Sequence, residues 1–176
     1  MASGLLHRFG QVFVVAAMPF ATLAPVAVSA QDLSPAAQAM QTAASICLGN
    51  YRTPENLAPA LQNAGFDVMP GMDEGYWEFS GASVQGVAGG DQGSAYCVVG
   101  SAEVPLDLAR GIGLGLAQAL LNYELPTENG SPEGRRGTCD GLNVLVPQRS
   151  IWIHYSNAGN SGECVDDGTS SIILRM

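Results

Sequence analysis

The sequence predicts an α+β domain in which helices pack on one face of an antiparallel sheet of about five to six strands. Two observations carry that class. Apolar residues recur at helical spacing in three separate stretches, and between and after them the period changes to two, as in Tyr76-Trp77-Glu78-Phe79-Ser80. Strands with one apolar and one polar face fit an antiparallel sheet covered on one side better than a parallel sheet covered on both.

Taken in order, Ser34-Pro35 opens the first helix, with the serine hydroxyl as cap and proline at the first helical position. The run to Leu48 puts Met40, Ala44, Cys47 and Leu48 on one face, and Gly49-Asn50 ends it. Thr53-Pro54 offers a second start, but Pro59 would then fall inside the helix and break a backbone bond. Starting after Asn56 leaves Pro59 in the first turn, where no partner is needed. Leu57, Ala60, Leu61 and Ala64 form the apolar face, and Gly65 closes it.

The strand Tyr76 to Ser80 follows, with Trp77 and Phe79 facing inward. Ser83 to Ala88 and Ala95 to Val99 pair as a hairpin across Gly89-Gly90-Asp91-Gln92-Gly93. Pro105 opens a helix to about Leu121, with Leu106, Ala109, Gly113, Leu116 and Leu120 at helical spacing. Its glycines Gly111, Gly113 and Gly115 let it lie close against the sheet, at some cost in helix stability. Asn122 to Gly141 reads as a long polar loop. Leu142 to Val146 and Ser150 to Ser156 make a second hairpin turned at Pro147-Gln148, and Ser171 to Arg175 supplies a last strand. The element order is a helix followed by αβββ twice, a hint of pseudo-symmetry in order and not in residues.

Ahead of this domain, residues 1–30 read as a cleaved secretory signal. His7 and Arg8 give a positive start, Val12 to Val28 is apolar apart from Thr22, and Val28-Ser29-Ala30 suits cleavage. Pro19 and Pro25, and the lack of a basic stop afterwards, count against a retained anchor. Residues 31–176 are therefore expected as one exported domain, periplasmic or secreted, with no membrane attachment after cleavage.

All 16 Asp and Glu lie after residue 30, lysine is absent, and the formal net charge is −9. Such an acidic surface repels phosphate backbones and anionic headgroups, which disfavours nucleic acid and membrane surfaces as partners. Lysine-based covalent chemistry is excluded. No Cys-x-x-Cys pair supports thiol exchange or thiolate zinc, and a single histidine after processing excludes a multi-histidine zinc site. No cofactor is expected.

Cys47, Cys97, Cys139 and Cys164 argue for two disulfides in an exported chain, with three connectivities open. Cys47–Cys97 with Cys139–Cys164 is favoured over the two crossed pairings because each bond then staples one half of the chain. Ala44-Ser45-Ile46-Cys47, Leu61 to Phe66, Trp77 and Tyr96-Cys97-Val98-Val99 together resemble a pattern in small exported bacterial proteins of uncharacterised function. The resemblance covers about the first two thirds of the mature chain. It implies a Cys47–Cys97 bond and carries no activity.

Among residues able to do chemistry, His154 lies in Ile151-Trp152-Ile153-His154-Tyr155, on the strand face it shares with Trp152, Ser150 and Ser156. With an acidic partner from Glu163, Asp166 or Asp167, it would suit a general base in a small hydrolase. Those carboxylates also suit a hard cation, but the spacing is not that of an EF-hand. Gly159-Asn160-Ser161-Gly162 resembles a serine-protease loop without room for its triad. Arg135 and Arg136 form the paired positive charge of an acidic chain and could grip a carboxylate or phosphate. With no convergent acid, base and nucleophile, the expectation is a non-catalytic binding protein whose partner is an envelope protein or a small ligand.

Overall fold

The computed structural model describes residues 33–91, 93–123, 141–158 and 167–176. Residues 1–30, expected as a secretory signal, lie outside the described residues, as do the Arg135–Arg136 pair, Cys139, Glu163, Cys164 and Asp166. Helix α1, Pro35–Gly49, starts where the serine cap expects it: the Ser34 Oγ accepts the Ala37 N–H at 3.2 Å. Its buried face holds Met40, Ala44, Cys47 and Leu48, and four buried alanines keep that face flat enough for close packing. A 3-10 turn, Pro54–Asn56, precedes α2, Leu57–Asn63, so Pro59 falls in the first turn of α2. Gly65, at φ +90°, turns the chain out of the helix in a conformation that favours glycine.

Seven strands follow: β1 Asp67–Pro70, β2 Tyr76–Gly81, β3 Val84–Asp91, β4 Ser94–Ser101, then β5 Gly141–Val146, β6 Arg149–Ser156 and β7 Ser170–Arg175. Helix α3, Leu106–Leu121, stands between β4 and β5. The sheet order is β1-β2-β3-β4-β7-β6-β5, and every neighbouring pair is antiparallel. The expected count of five to six strands is thus one or two short of the seven present. The added strand, β1, is four residues long, mostly exposed and ends in proline. Its pairing with β2, not its own alternation, makes it a strand.

The element order acquires a geometric meaning here. The expected αβββ unit does not recur twice, because β1 lengthens the first to four strands: the meander β1-β2-β3-β4 follows α2, β5-β6-β7 follows α3 in the chain, and the two meet along β4 and β7. Helices α1 and α3 pack together on one face of the sheet. That face carries the core, including Leu57, Leu61, Phe79, Val99, Ile153, Ile172 and Leu174. Phe66 meets Phe79 edge-on, with ring centroids 5.6 Å apart. Cys47 on α1 and Cys97 on β4 form a fully buried disulfide with a Cα–Cα distance of 6.2 Å, tying the first helix to the middle of the sheet.

Two expectations need correction in detail. Trp77 is half-buried and not core: it lines a hollow with Arg52, Pro54, Glu55 and Asp91. Of the three α3 glycines, Gly113 alone meets the sheet, while Gly111 and Gly115 face open space. Pro147-Gln148 does turn the second hairpin, with Gln148 at φ +77°. Among the described residues, no helix is long and apolar enough to cross a membrane.

Candidate functional site

Side chains alternate along each strand, so the residues between core positions emerge on the side of the sheet away from the helices. On β6, Ile151, Ile153 and Tyr155 enter the core, as the sequence predicts, leaving Trp152, His154 and Ser156 outward. On β7, Ile172 and Leu174 point inward, leaving Ser171, Ile173 and Arg175 outward. On β4, Cys97 and Val99 are core, and Tyr96, Val98 and Gly100 face out.

Strand register aligns these outward residues into rows. Tyr96 stands opposite Arg175, Arg175 opposite Trp152, and Trp152 opposite Asn143. The next row runs Val87, Val98, Ile173, His154, and the one after it Gln85, Gly100, Ser171, Ser156. Successive rows lie two residues apart, roughly 7 Å along the strands. The face therefore passes from aromatic and cationic through apolar to neutral polar. A hollow of about 300 Å³ opens on it, floored by Val87, Tyr96, Val98 and Ile173, with Gln85, Gly100, Ser156, Ala158 and Ser171 completing its wall.

Local bonds hold the polar end. The Ser156 and Ser171 hydroxyls are 2.6 Å apart and share a hydrogen bond, and the Asn157 carbonyl, 3.0 and 3.2 Å from them, accepts from the one whose hydrogen is not used within the pair. These buried hydroxyls present a fixed polar edge. At the other end, Ser150 donates to the Asn143 side-chain carbonyl.

His154 is only 7% exposed, and its ring stacks on Trp152 with centroids 5.8 Å apart and planes 12° from parallel. Asp167, the one acidic candidate within the described residues, is not brought to it. The Asp167 Oδ1 accepts the Thr169 hydroxyl at 2.6 Å and the Thr169 N–H at 3.0 Å, while the Thr169 Oγ1 accepts the Ala158 N–H at 3.0 Å. Ala158 is four residues beyond His154, about 13 Å along an extended chain. The Thr169 bonds, the side-chain one foremost, hold the Asp167 carboxyl below the usual carboxylate range. Its work is to fasten the connection between β6 and β7.

The described arginines divide clearly. Arg110 pairs with Asp107 at 2.7 Å. Arg149 donates to the Tyr51 carbonyl at 3.1 Å and lies over the Tyr51 ring, which Arg52 also approaches. Arg175 is exposed and has no ion-pair or ring partner among the described residues. Sequence reading passes over Arg175, and with it Tyr96, Val98 and Ile173. The available signal is the alternation in Ser171 to Arg175, which puts Arg175 on the same side as Ile173 and Ser171. Its aromatic neighbours become visible only with the strand order. No family model, curated protein or solved structure matches this chain.

Proposed function

We propose that the mature chain is a non-catalytic exported binding protein, and that it binds with the helix-free face of its sheet. The observation that supports this most directly is the hollow over Val87, Tyr96, Val98 and Ile173. In a sheet covered by helices on one side, the free side is ordinarily polar. Here Val87, Val98 and Ile173 of its middle row are apolar and half-buried, beside the buried His154, and are bounded by hydroxyls on one side and by Arg175 and two aromatics on the other. Apolar patches rimmed by polar groups are how binding surfaces distinguish themselves from ordinary surface. The size of the hollow favours a small ligand over the flat contact that an envelope protein would make.

In this reading His154 is a positioning residue. It fills the space beside Trp152 and holds the indole at the edge of the binding face. The test is to purify tagged residues 31–176 from the periplasm under non-reducing conditions and identify what accompanies the protein by native mass spectrometry. Wild-type protein should carry a small molecule that Val98→Asp releases while circular dichroism stays native. A bound species retained in full by Val98→Asp would move the binding site off this face.

A further inference from the structure

We infer that the helix-free face takes a small amphipathic carboxylate, with its carboxylate on Arg175 and its apolar body along Val98 and Ile173 toward Ser156 and Ser171. The inference rests on the binding role proposed for that face and names the ligand class. Three features lead to it. First, Arg175 is the described arginine with no ion-pair or ring partner among the described residues, in a chain of net charge −9. A guanidinium beside an apolar hollow can donate two parallel hydrogen bonds to a planar carboxylate.

Second, its neighbours across the ladder are Tyr96 and Trp152. Directly paired residues have Cβ atoms roughly 5 Å apart, so an aromatic side chain flanks the arginine on each side. Partial shielding from water strengthens an ion pair that would be worth little on open surface. Third, the hollow starts at Tyr96, in the arginine row, and ends at Ser156, Ser171 and Ala158. Four residues separate Arg175 from Ser171, about 13 Å of strand. Its volume of about 300 Å³ is at the small end of ligand sites. An apolar body about 10 Å long fits that reach.

The row supplies one positive charge, with no second cation among its aligned residues Tyr96, Arg175, Trp152 and Asn143. It matches a singly charged carboxylate better than a doubly charged phosphate, and it repels an amine.

The experiment is calorimetric titration of the mature chain with octanoate, octan-1-ol and octylammonium, repeated on Arg175→Gln and Val98→Asp. Octanoate should bind at least about ten-fold tighter than octan-1-ol, because a hydrogen-bonded charge pair distinguishes them. Arg175→Gln should lose about that factor for octanoate and nothing for octan-1-ol. Arg175 is exposed, so the substitution leaves the core untouched. Equal affinity of wild type and Arg175→Gln for octanoate would overturn the carboxylate assignment, as would equal binding of the alcohol and the acid. Failure of all three probes, with a native ligand still released by Val98→Asp, would sink the ligand class and leave the binding face standing. Octanoate binding unaffected by Val98→Asp would remove both.

Discussion

A Cβ built on Gly113 would come within 2.5 Å of the Tyr155 Oη and 2.7 Å of its ring. Tyr155 is buried, and burial holds its phenol well above the ordinary range, an effect that the Arg110 charge opposes. The close approach of α3 to β6 therefore depends on a missing side chain at this one position. Gly113→Ala should destabilise the fold by about 1–3 kcal/mol through overpacking. Gly111→Ala and Gly115→Ala, which meet nothing, should stabilise it by up to about 1 kcal/mol through helix propensity. Urea denaturation of the three variants checks this, and an unperturbed Gly113→Ala would mean that the packing is looser than described.

The Cys47–Cys97 bond closes a loop of 50 residues between α1 and β4. Chain entropy gives such a bond about 4 kcal/mol of stabilisation. The double substitution to alanine should lower the melting temperature substantially, and a reductant should lower that of the wild type only when unfolding exposes the buried sulfurs. Calorimetry on oxidised wild type and on the alanine pair gives the difference directly.

Ala82 and Ser83 join β2 to β3 with φ of +48° and +62°. Two left-handed residues match the twist of a tight hairpin but suit asparagine and glycine far better than alanine and serine. Ala82→Asn should raise stability by about 1 kcal/mol by relieving the penalty at that residue. Ser83 is the poorer target, since its hydroxyl donates to Glu103 at 2.7 Å and its carbonyl accepts from Ser101. Thermal melts of Ala82→Asn, with no gain in melting temperature as the contrary result, decide it.

Asp167 makes a pH prediction with a definite sign. Its carboxyl lies below the usual range because Thr169 donates to it from side chain and backbone. A group lowered in the folded state contributes stability above its unfolded value and loses it as pH falls through the folded value. Wild type should therefore lose more melting temperature than Asp167→Asn as the solution is acidified through and below the carboxylate range. The two should converge at the acid end. Because the carboxylate is exposed, the difference should be small and should shrink in high salt.

Much of this fold is legible because local signals agree with the tertiary result. The Ser34 cap, the Asn56 restart, the turn at Pro147-Gln148 and the division of β6 into two faces all follow from residues within a few positions of each other. β1 is not legible, because Asp67–Pro70 has neither length nor alternation and becomes a strand only by lying beside β2. The candidate site is less legible still. Trp152 and His154 stand out within one strand, but the row Tyr96, Arg175, Trp152 is assembled from three strands distant in the chain. Nothing local to Arg175 distinguishes it from a solvated arginine. The prominence of Asp167 in an acidic loop points toward His154, while its bonds to Thr169 take it elsewhere.

The position of β7 has a consequence for how the chain reaches this state. Strands β1 to β4 can assemble with α1 from neighbouring segments, and the Cys47–Cys97 bond can form within that unit. The β5–β6 hairpin has no edge to join until Ser170–Arg175 has arrived between it and β4. Closing the sheet thus waits on a pairing of long sequence separation, and such contacts set the pace of folding. A chain stalled before that step would present the bare edges of β4 and β6. Refolding should accordingly show an early phase sensitive to substitutions in β2 to β4 and a slower one sensitive to Ile172 and Leu174, the β7 residues that enter the core.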